Sequence, residues 1–213
     1  MSKPTVHGIN FSTYVRSVRA ALIEKGVDYE LDQVNILDGA AGSPDHLARH
    51  PFGKIPAFTH DGTTIYETSA ILRYIDNVFP GPSLQPSDPK QAARSDQVIG
   101  IVDSYGYGAI LSKLVWQRMV TPMLGGVPDD AVVIEAMPRV KLCIAEFARL
   151  LGDRAWFGGS EVSIGDLMLA PVFAYMMGTD EGQEVAGHHA NLKAWFDRIS
   201  ARPSMATTQP VFG

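Results

Sequence analysis

A proline-rich break is the feature that most constrains what this chain can fold into. Pro80-Gly81-Pro82-Ser83 is followed closely by Pro86 and Pro89. Proline fixes its backbone and lacks the N–H that a helix interior or a central strand needs, so the run reads as a stiff, non-helical linker. The hydrophobic pattern changes across it. Before the break, short alternating runs are interleaved with helical ones; after it, only helical spacing is visible. The expected organisation is therefore a mixed α/β unit over residues 1–79, a linker over 80–88 and an all-helical unit over 89–213. A length of 213 residues suits two small domains better than one.

In the first part, Thr5 to Gly8 reads as a short strand. Thr13 to Lys25 follows with Val15, Val18, Ala21 and Leu22 on one face of a helix, and Gly26 is a natural stop. Tyr29 to Val34 alternates as a second strand. Ser43-Pro44-Asp45 is a helix start, with Ser43 as cap and proline at the first helical position. Pro56 to Thr59 and Thr64 to Tyr66 are two more strands, joined by a tight turn at Asp61-Gly62. Glu67 opens a helix running to about Val78. The order βαβ, then αββα, predicts a parallel first pair and an antiparallel hairpin.

In the second part, Gln91 to Val120 reads as one long helix that Gly106 and Gly108 weaken. Asp129 to Leu151 is another, although Pro138 inside it costs about 3 kcal/mol unless the helix accommodates it. Ser163-Ile164-Gly165-Asp166 is a capping box, with Asp166 placed to reach back to the cap's own N–H. It is a folding signal. Asn191 to Ala201 forms a late helix.

Composition excludes several function classes. The net charge of −5, without a basic cluster, argues against nucleic acid as a partner. The N-terminus, Met-Ser-Lys-Pro-Thr-Val, has no long apolar stretch, so neither a signal peptide nor a membrane span is expected, and cytoplasmic residence fits. With a single cysteine, Cys143, there is no disulfide framework; its apolar helical setting marks it as a packing thiol. The six histidines lack metal-ligand spacing, so no metal is expected.

Three places can carry chemistry. Pro56 at a strand start cannot donate to the sheet, so Gly53-Lys54-Ile55-Pro56-Ala57 lies at an edge or bulge. With a cis Ile55–Pro56 bond, the Ile55 N–H and C=O face outward and can pair with an extended peptide. The plain alternative is a loop before a strand. Glu67-Thr68-Ser69 opens a helix whose free N–H groups attract a carboxylate, while Glu67 can hold an ammonium group; together these suit one end of a zwitterionic amino acid. The alternative is an ordinary acidic cap. Ser12 lies between the first strand and first helix, in the positive field of the helix N-terminus, and serves equally as an N-cap.

Together, His50-Pro51-Phe52-Gly53-Lys54-Ile55-Pro56-Ala57-Phe58 and Ile65-Tyr66-Glu67-Thr68-Ser69-Ala70-Ile71-Leu72-Arg73-Tyr74-Ile75 resemble the glutathione transferase superfamily. The resemblance covers the whole chain, including linker and capping box, and is greatest to the serine-type classes, above all phi, through Gly8, Ser12 and Glu24-Lys25-Gly26-Val27-Asp28-Tyr29-Glu30. It implies a thioredoxin-like α/β domain followed by an all-α domain. It implies Ser12 as the catalytic hydroxyl, and glutathione as co-substrate. Ile55 and cis-Pro56 would hold its cysteinyl backbone, Glu67 and Thr68 its γ-glutamyl end, and Lys54 would lie near its glycyl carboxylate. Phi enzymes usually carry a histidine and a lysine before the second helix; here Ala41 and Gly42 stand there.

The implied reaction is conjugation of the glutathione thiolate to small apolar electrophiles, a detoxifying activity, in a homodimer with Phe52 reaching into the neighbouring subunit or lying in the core. Tyr107 and Leu111, with Tyr105, Trp116 and Met119, are available to line the electrophile pocket, though residues at this spacing are also ordinary core. Asp103 resembles an aspartate that reaches glutathione's amine across the dimer in some classes. The same scaffold serves peroxidase, ether-cleaving, dehalogenating or disulfide-reducing enzymes, where Asn10 or Thr13 could stabilise the sulfur, and non-catalytic glutathione-binding modules.

Overall fold

The computed structural model describes residues 2–210. The chain through Gln85, with the segment from Ala201 on, forms one unit, and Pro86–Ser200 forms a second.

The first unit runs β1 (Thr5–Gly8), α1 (Thr13–Glu24), β2 (Glu30–Gln33), a 3₁₀ turn at Ala40–Gly42, α2 (Pro44–Leu47), β3 (Ala57–His60), β4 (Thr63–Tyr66) and α3 (Thr68–Val78). The sheet order is β2-β1-β3-β4. β1 and β2 are parallel and the β3–β4 hairpin is antiparallel, as the element order predicts, and β1 also pairs antiparallel with β3. Asp61 and Gly62 both have positive φ, 46° and 76°, the backbone a two-residue hairpin needs to match strand twist. Val15, Val18, Ala21 and Leu22 are all buried, and α1 packs beside α3, whose Ile71, Leu72 and Ile75 complete the core with Val6 and Phe58 of the sheet. Lys25, itself buried, donates to the Asp76 carboxylate (3.0 Å) and to the Pro82 carbonyl (3.0 Å), tying the start of the linker to α1 and α3.

The second unit opens with α4 (Pro89–Ile101), capped by Asp88, which accepts from Lys90 N and Gln91 N at 2.9 Å each. The helix continues through a π-wound stretch (Val102–Val120) into α5 (Thr121–Met123). Gly106 and Gly108 fall inside the π-wound stretch, where the turn is wider than in an α-helix. By length and composition the 35-residue run Pro89–Met123 is long and apolar enough to cross a membrane, which the N-terminal sequence did not disclose. Within its unit it packs against α6 (Asp130–Leu151) and α7 (Ile164–Met176). It also carries ion pairs, Lys113 to Glu135 and Arg118 to Asp130 and Glu181, each at 2.7 Å. α6 continues past Pro138, which lies on its exposed face. α8 (Asp180–Gly187) and α9 (Ala190–Ser200) follow. α8 escaped the hydrophobic pattern, although Thr179 caps it and Asp180 and Glu181 fill its first turn.

Asp166 organises this unit. It is fully buried and accepts from Ser163 N (2.8 Å), Ser163 Oγ (2.7 Å), Phe157 N (3.0 Å) and Trp195 Nε1 (2.8 Å). The shorter Asp thus closes the box and joins α7 to α9.

The chain then returns to the first unit. α10 (Pro203–Thr207) lies against α1. Arg202 makes a two-pronged pair with Glu24 (2.7 and 2.6 Å), and Arg16 donates to the Met205 carbonyl (2.9 Å). A helical domain drawn as residues 89–213 thus differs from the observed units at its end, because α1 supplies the charges this last segment pairs with.

Candidate active site

Sheet register brings the candidate residues of the first unit together. His7 on β1 stands opposite Ala57 on β3, and Ala57 stands opposite Tyr66 on β4. One residue beyond this row in each strand come Gly8, Pro56 and Glu67. The turn to Ser12, the Ile55–Pro56 bond and the start of α3 therefore share one end of the sheet.

At that end Ser12 is the N-cap of α1. It is half-buried, its N–H donates to the Ile9 carbonyl (3.1 Å), and its Oγ accepts from Val15 N at 3.4 Å. A hydroxyl accepting this bond keeps its own proton to donate elsewhere. The twelve-residue helix behind it adds a positive field. The two alternatives are placed less favourably. Asn10 is exposed and its side-chain oxygen accepts from Arg19 (3.3 Å), while Thr13 is buried.

The Ile55–Pro56 bond is cis, and both residues are buried. The β1–β3 ladder begins at Ala57, so Ile55 lies outside it. Gly8 is required here: a Cβ on it would stand 2.3 Å from Val15 Cγ2 and 3.4 Å from Ile55 Cβ. Only glycine lets α1 and this loop approach the end of β1 so closely.

Glu67 precedes α3 with φ 70° and ψ 116°, outside every region comfortable for a residue with a side chain. Such backbone costs about 1–3 kcal/mol and clusters at ligand-binding positions. Its carboxylate is exposed and makes no capping bond, while Thr68 behind it is buried and Ser69 half-buried.

Lys54 is exposed, and its carbonyl accepts from His46 Nε2 at 2.7 Å. Gly53, with φ 60°, rests on the Ala41 carbonyl, 3.2 Å from where its Cβ would be. Ala41 and Gly42 thus sit beside Lys54 and bring no charge. Phe52 is 69% exposed, which excludes the core alternative; it stands edge-on to His50 and Tyr66, both at 6.2 Å. Burial lowers the pKa of His50, against a smaller opposing pull from Glu67, so its buried ring favours the neutral form.

In the second unit, Tyr107 and Leu111 are half-buried on the π-wound stretch, and burial raises the Tyr107 phenol's pKa. Tyr105 is exposed beneath Arg139 (5.6 Å), Trp116 is exposed, and Met119 packs against Gly178. Asp103 is exposed. Cys143 is buried, and burial raises its thiol pKa. Among the described residues no group of three His, Cys, Asp or Glu side chains is arranged to hold a metal ion. The sequence marked Gly8 as a strand end and part of the family resemblance but not its packing role, which the close approach of Val15 and Ile55 reveals; nothing local marks His46.

A four-stranded mixed sheet with cis-proline before its third strand, followed by an all-helical unit, defines the thioredoxin-like two-domain fold of glutathione transferases. The chain matches the glutathione S-transferase N-terminal domain over residues 3–77 and the C-terminal domain over 130–198. A glutathione S-transferase of Hyoscyamus muticus is 33% identical over 201 residues, covering 93% of this chain and 94% of its own. The crystal structure of a Populus trichocarpa glutathione transferase superposes with a TM-score of 0.86 at 29% identity, over 96% of this chain and 97% of that one. Glutathione S-transferase I from mais, in complex with an atrazine glutathione conjugate, gives 0.84 at 28%, over 97% and 96%. The chain belongs to the glutathione S-transferase family, and plant phi-class enzymes are among its relatives.

Proposed function

We propose that the protein conjugates glutathione to small apolar electrophiles, with Ser12 stabilising the thiolate. The observation that carries the proposal is the shared register of Ser12's turn, Ile55–Pro56 and Glu67-Thr68 at one end of one sheet. An extended peptide laid there pairs its cysteinyl backbone with Ile55. Its γ-glutamyl carboxylate meets the N-terminus of α3 and the Thr68 hydroxyl, and its ammonium meets Glu67. Lys54 faces the glycyl carboxylate without help from Ala41 and Gly42.

A thiol with pKa of about 8.5 is only a few per cent ionised at pH 7. Serine's hydroxyl is too weak a base to take the proton, but it can donate to the sulfur anion. Lowering the thiol pKa by about two units needs roughly 2.7 kcal/mol. One charge-assisted hydrogen bond of about 1.5–3 kcal/mol and a helix-field contribution of about 0.3–1 kcal/mol suffice. The proton leaves to solvent, and the thiolate attacks the electrophile's carbon and expels its leaving group. The all-helical unit holds the electrophile, with Tyr107 and Leu111 in the lining. No residue role in this scheme calls on a metal.

The protein works in the cytoplasm as a homodimer, where conjugation removes reactive compounds; exposed Phe52 beside Tyr66 is the apolar contact offered to a second copy. The test is steady-state conjugation of glutathione to a chromogenic aryl halide, with peroxides, aryl ethers and disulfides in parallel. Saturable aryl halide turnover supports the proposal. Activity confined to the other substrates, or glutathione binding without turnover, refutes it. Sedimentation velocity of the parent and Phe52→Ala tests the dimer.

A further inference from the structure

α2 has four residues, too few to be stable by itself, and buries one side chain, His46. That imidazole is 1% exposed, and its Nε2 lies 2.7 Å from the Lys54 carbonyl oxygen. A carbonyl only accepts, so Nε2 carries the proton. The other ring nitrogen, Nδ1, is buried and has no partner among the described residues. The ring is therefore committed to a single hydrogen bond. Ser43 caps α2 by accepting from His46 N (3.3 Å), and His50 N donates to the His46 carbonyl (2.8 Å). Gly53 N in turn donates to the His50 carbonyl (2.9 Å), closing the loop that leads to Lys54.

We infer that His46 is a positioning residue for thiol-peptide binding: by anchoring the Lys54 carbonyl it sets the direction in which the Ile55 N–H is presented to the substrate's cysteinyl backbone. The physical link is the peptide plane. The Lys54 carbonyl and the Ile55 N–H belong to one planar trans amide and point in opposite directions. A bond that pulls the carbonyl inward to α2 turns the N–H outward on the other side. Without it the plane can rotate, and the N–H is no longer held where an added strand needs it. His46 touches neither the sulfur nor the electrophile, so it acts on binding of glutathione and not on the chemical step.

The inference rests on the proposed glutathione site, and the experiment separates the two. KM for glutathione and kcat are measured for the parent, His46→Phe and His46→Gln at saturating aryl halide. The Phe variant keeps ring shape without a donor; the Gln variant keeps a donor. The expected result is a KM for glutathione raised roughly five- to ten-fold in His46→Phe, the worth of one neutral hydrogen bond, with kcat within about two-fold. His46→Gln recovers most of the KM. An unchanged KM in a folded His46→Phe, or an equal fall in kcat for both variants, overturns the inference and leaves the proposed function standing. No turnover and no glutathione binding in the parent overturns both. Should His46→Phe fail to fold, ring ¹⁵N shifts of the parent decide: a protonated Nε2 and bare Nδ1 support the inference, and the opposite tautomer overturns it.

Discussion

Replacing Ser12 with alanine separates the two jobs its hydroxyl does. The capping bond from Val15 N is long at 3.4 Å, so its loss costs about 0.5 kcal/mol, the low end for caps. At roughly 2–4 °C per kcal/mol for a chain of this size, Tm falls by only about 1–2 °C. The bond to the sulfur anion is worth more, about 1.5–3 kcal/mol, which raises the bound thiol's pKa by roughly 1–2 units. From a starting point about two units below the free thiol, the thiolate fraction at pH 7 falls from about three quarters to between about a quarter and a thirtieth. The rate at pH 7 drops roughly 3- to 20-fold, and the deficit shrinks towards pH 9. The assay is a pH titration of the thiolate absorbance of bound glutathione, paired with kcat over the same range. If the absorbance midpoint is the same in parent and Ser12→Ala, the reasoning is wrong. If Thr13→Val or Asn10→Ala moves it instead, the donor is that residue.

Three further outcomes follow from the geometry. Glu67→Gly removes the strain at φ 70°, so Tm should hold or rise by several degrees while the Kd for glutathione, read by calorimetry, weakens; a gain in both would show that Glu67 does not bind the ligand. Asp166→Asn leaves either Ser163 N or Phe157 N, both buried, facing a donor, which costs about 1–3 kcal/mol and lowers Tm by roughly 2–12 °C; an unchanged thermal scan would refute the assigned network. For Glu24, burial raises the carboxyl pKa, but the bonds from Arg202 and Ser204 outweigh it and the net pKa is lowered. A depressed carboxylate stabilises the fold above its unfolded pKa and loses that contribution as pH falls through the folded one. In urea titrations Glu24→Gln should therefore be less stable than the parent at pH 7, with the gap closing below about pH 4. A gap that widens in acid would reverse the assignment.

Much of the first unit was legible because its signals span only a few residues. Ser43-Pro44, Asp61-Gly62 and the proline-rich linker each specify backbone through local sterics. Glu67-Thr68 and Ile55-Pro56 were readable as candidates for the same reason, and family resemblance joined them to Ser12. The second unit was less legible. Its π winding over Val102–Val120 has no compositional mark, and α8 is too short to show a period.

The sequence by itself determined the break at Pro80–Pro89, the order of strands and helices before it, the capping box at Ser163–Asp166 and the residues that resemble the family's thiol site. Tertiary structure alone decided that Glu67 sits in strained backbone, that the last helix returns to α1 through Arg202 and Glu24, and that the buried His46 holds the Lys54 carbonyl. The reason is range. Caps, turns and proline act on backbone within three or four residues, whereas these contacts depend on which distant groups remain to be paired once the sheet has closed.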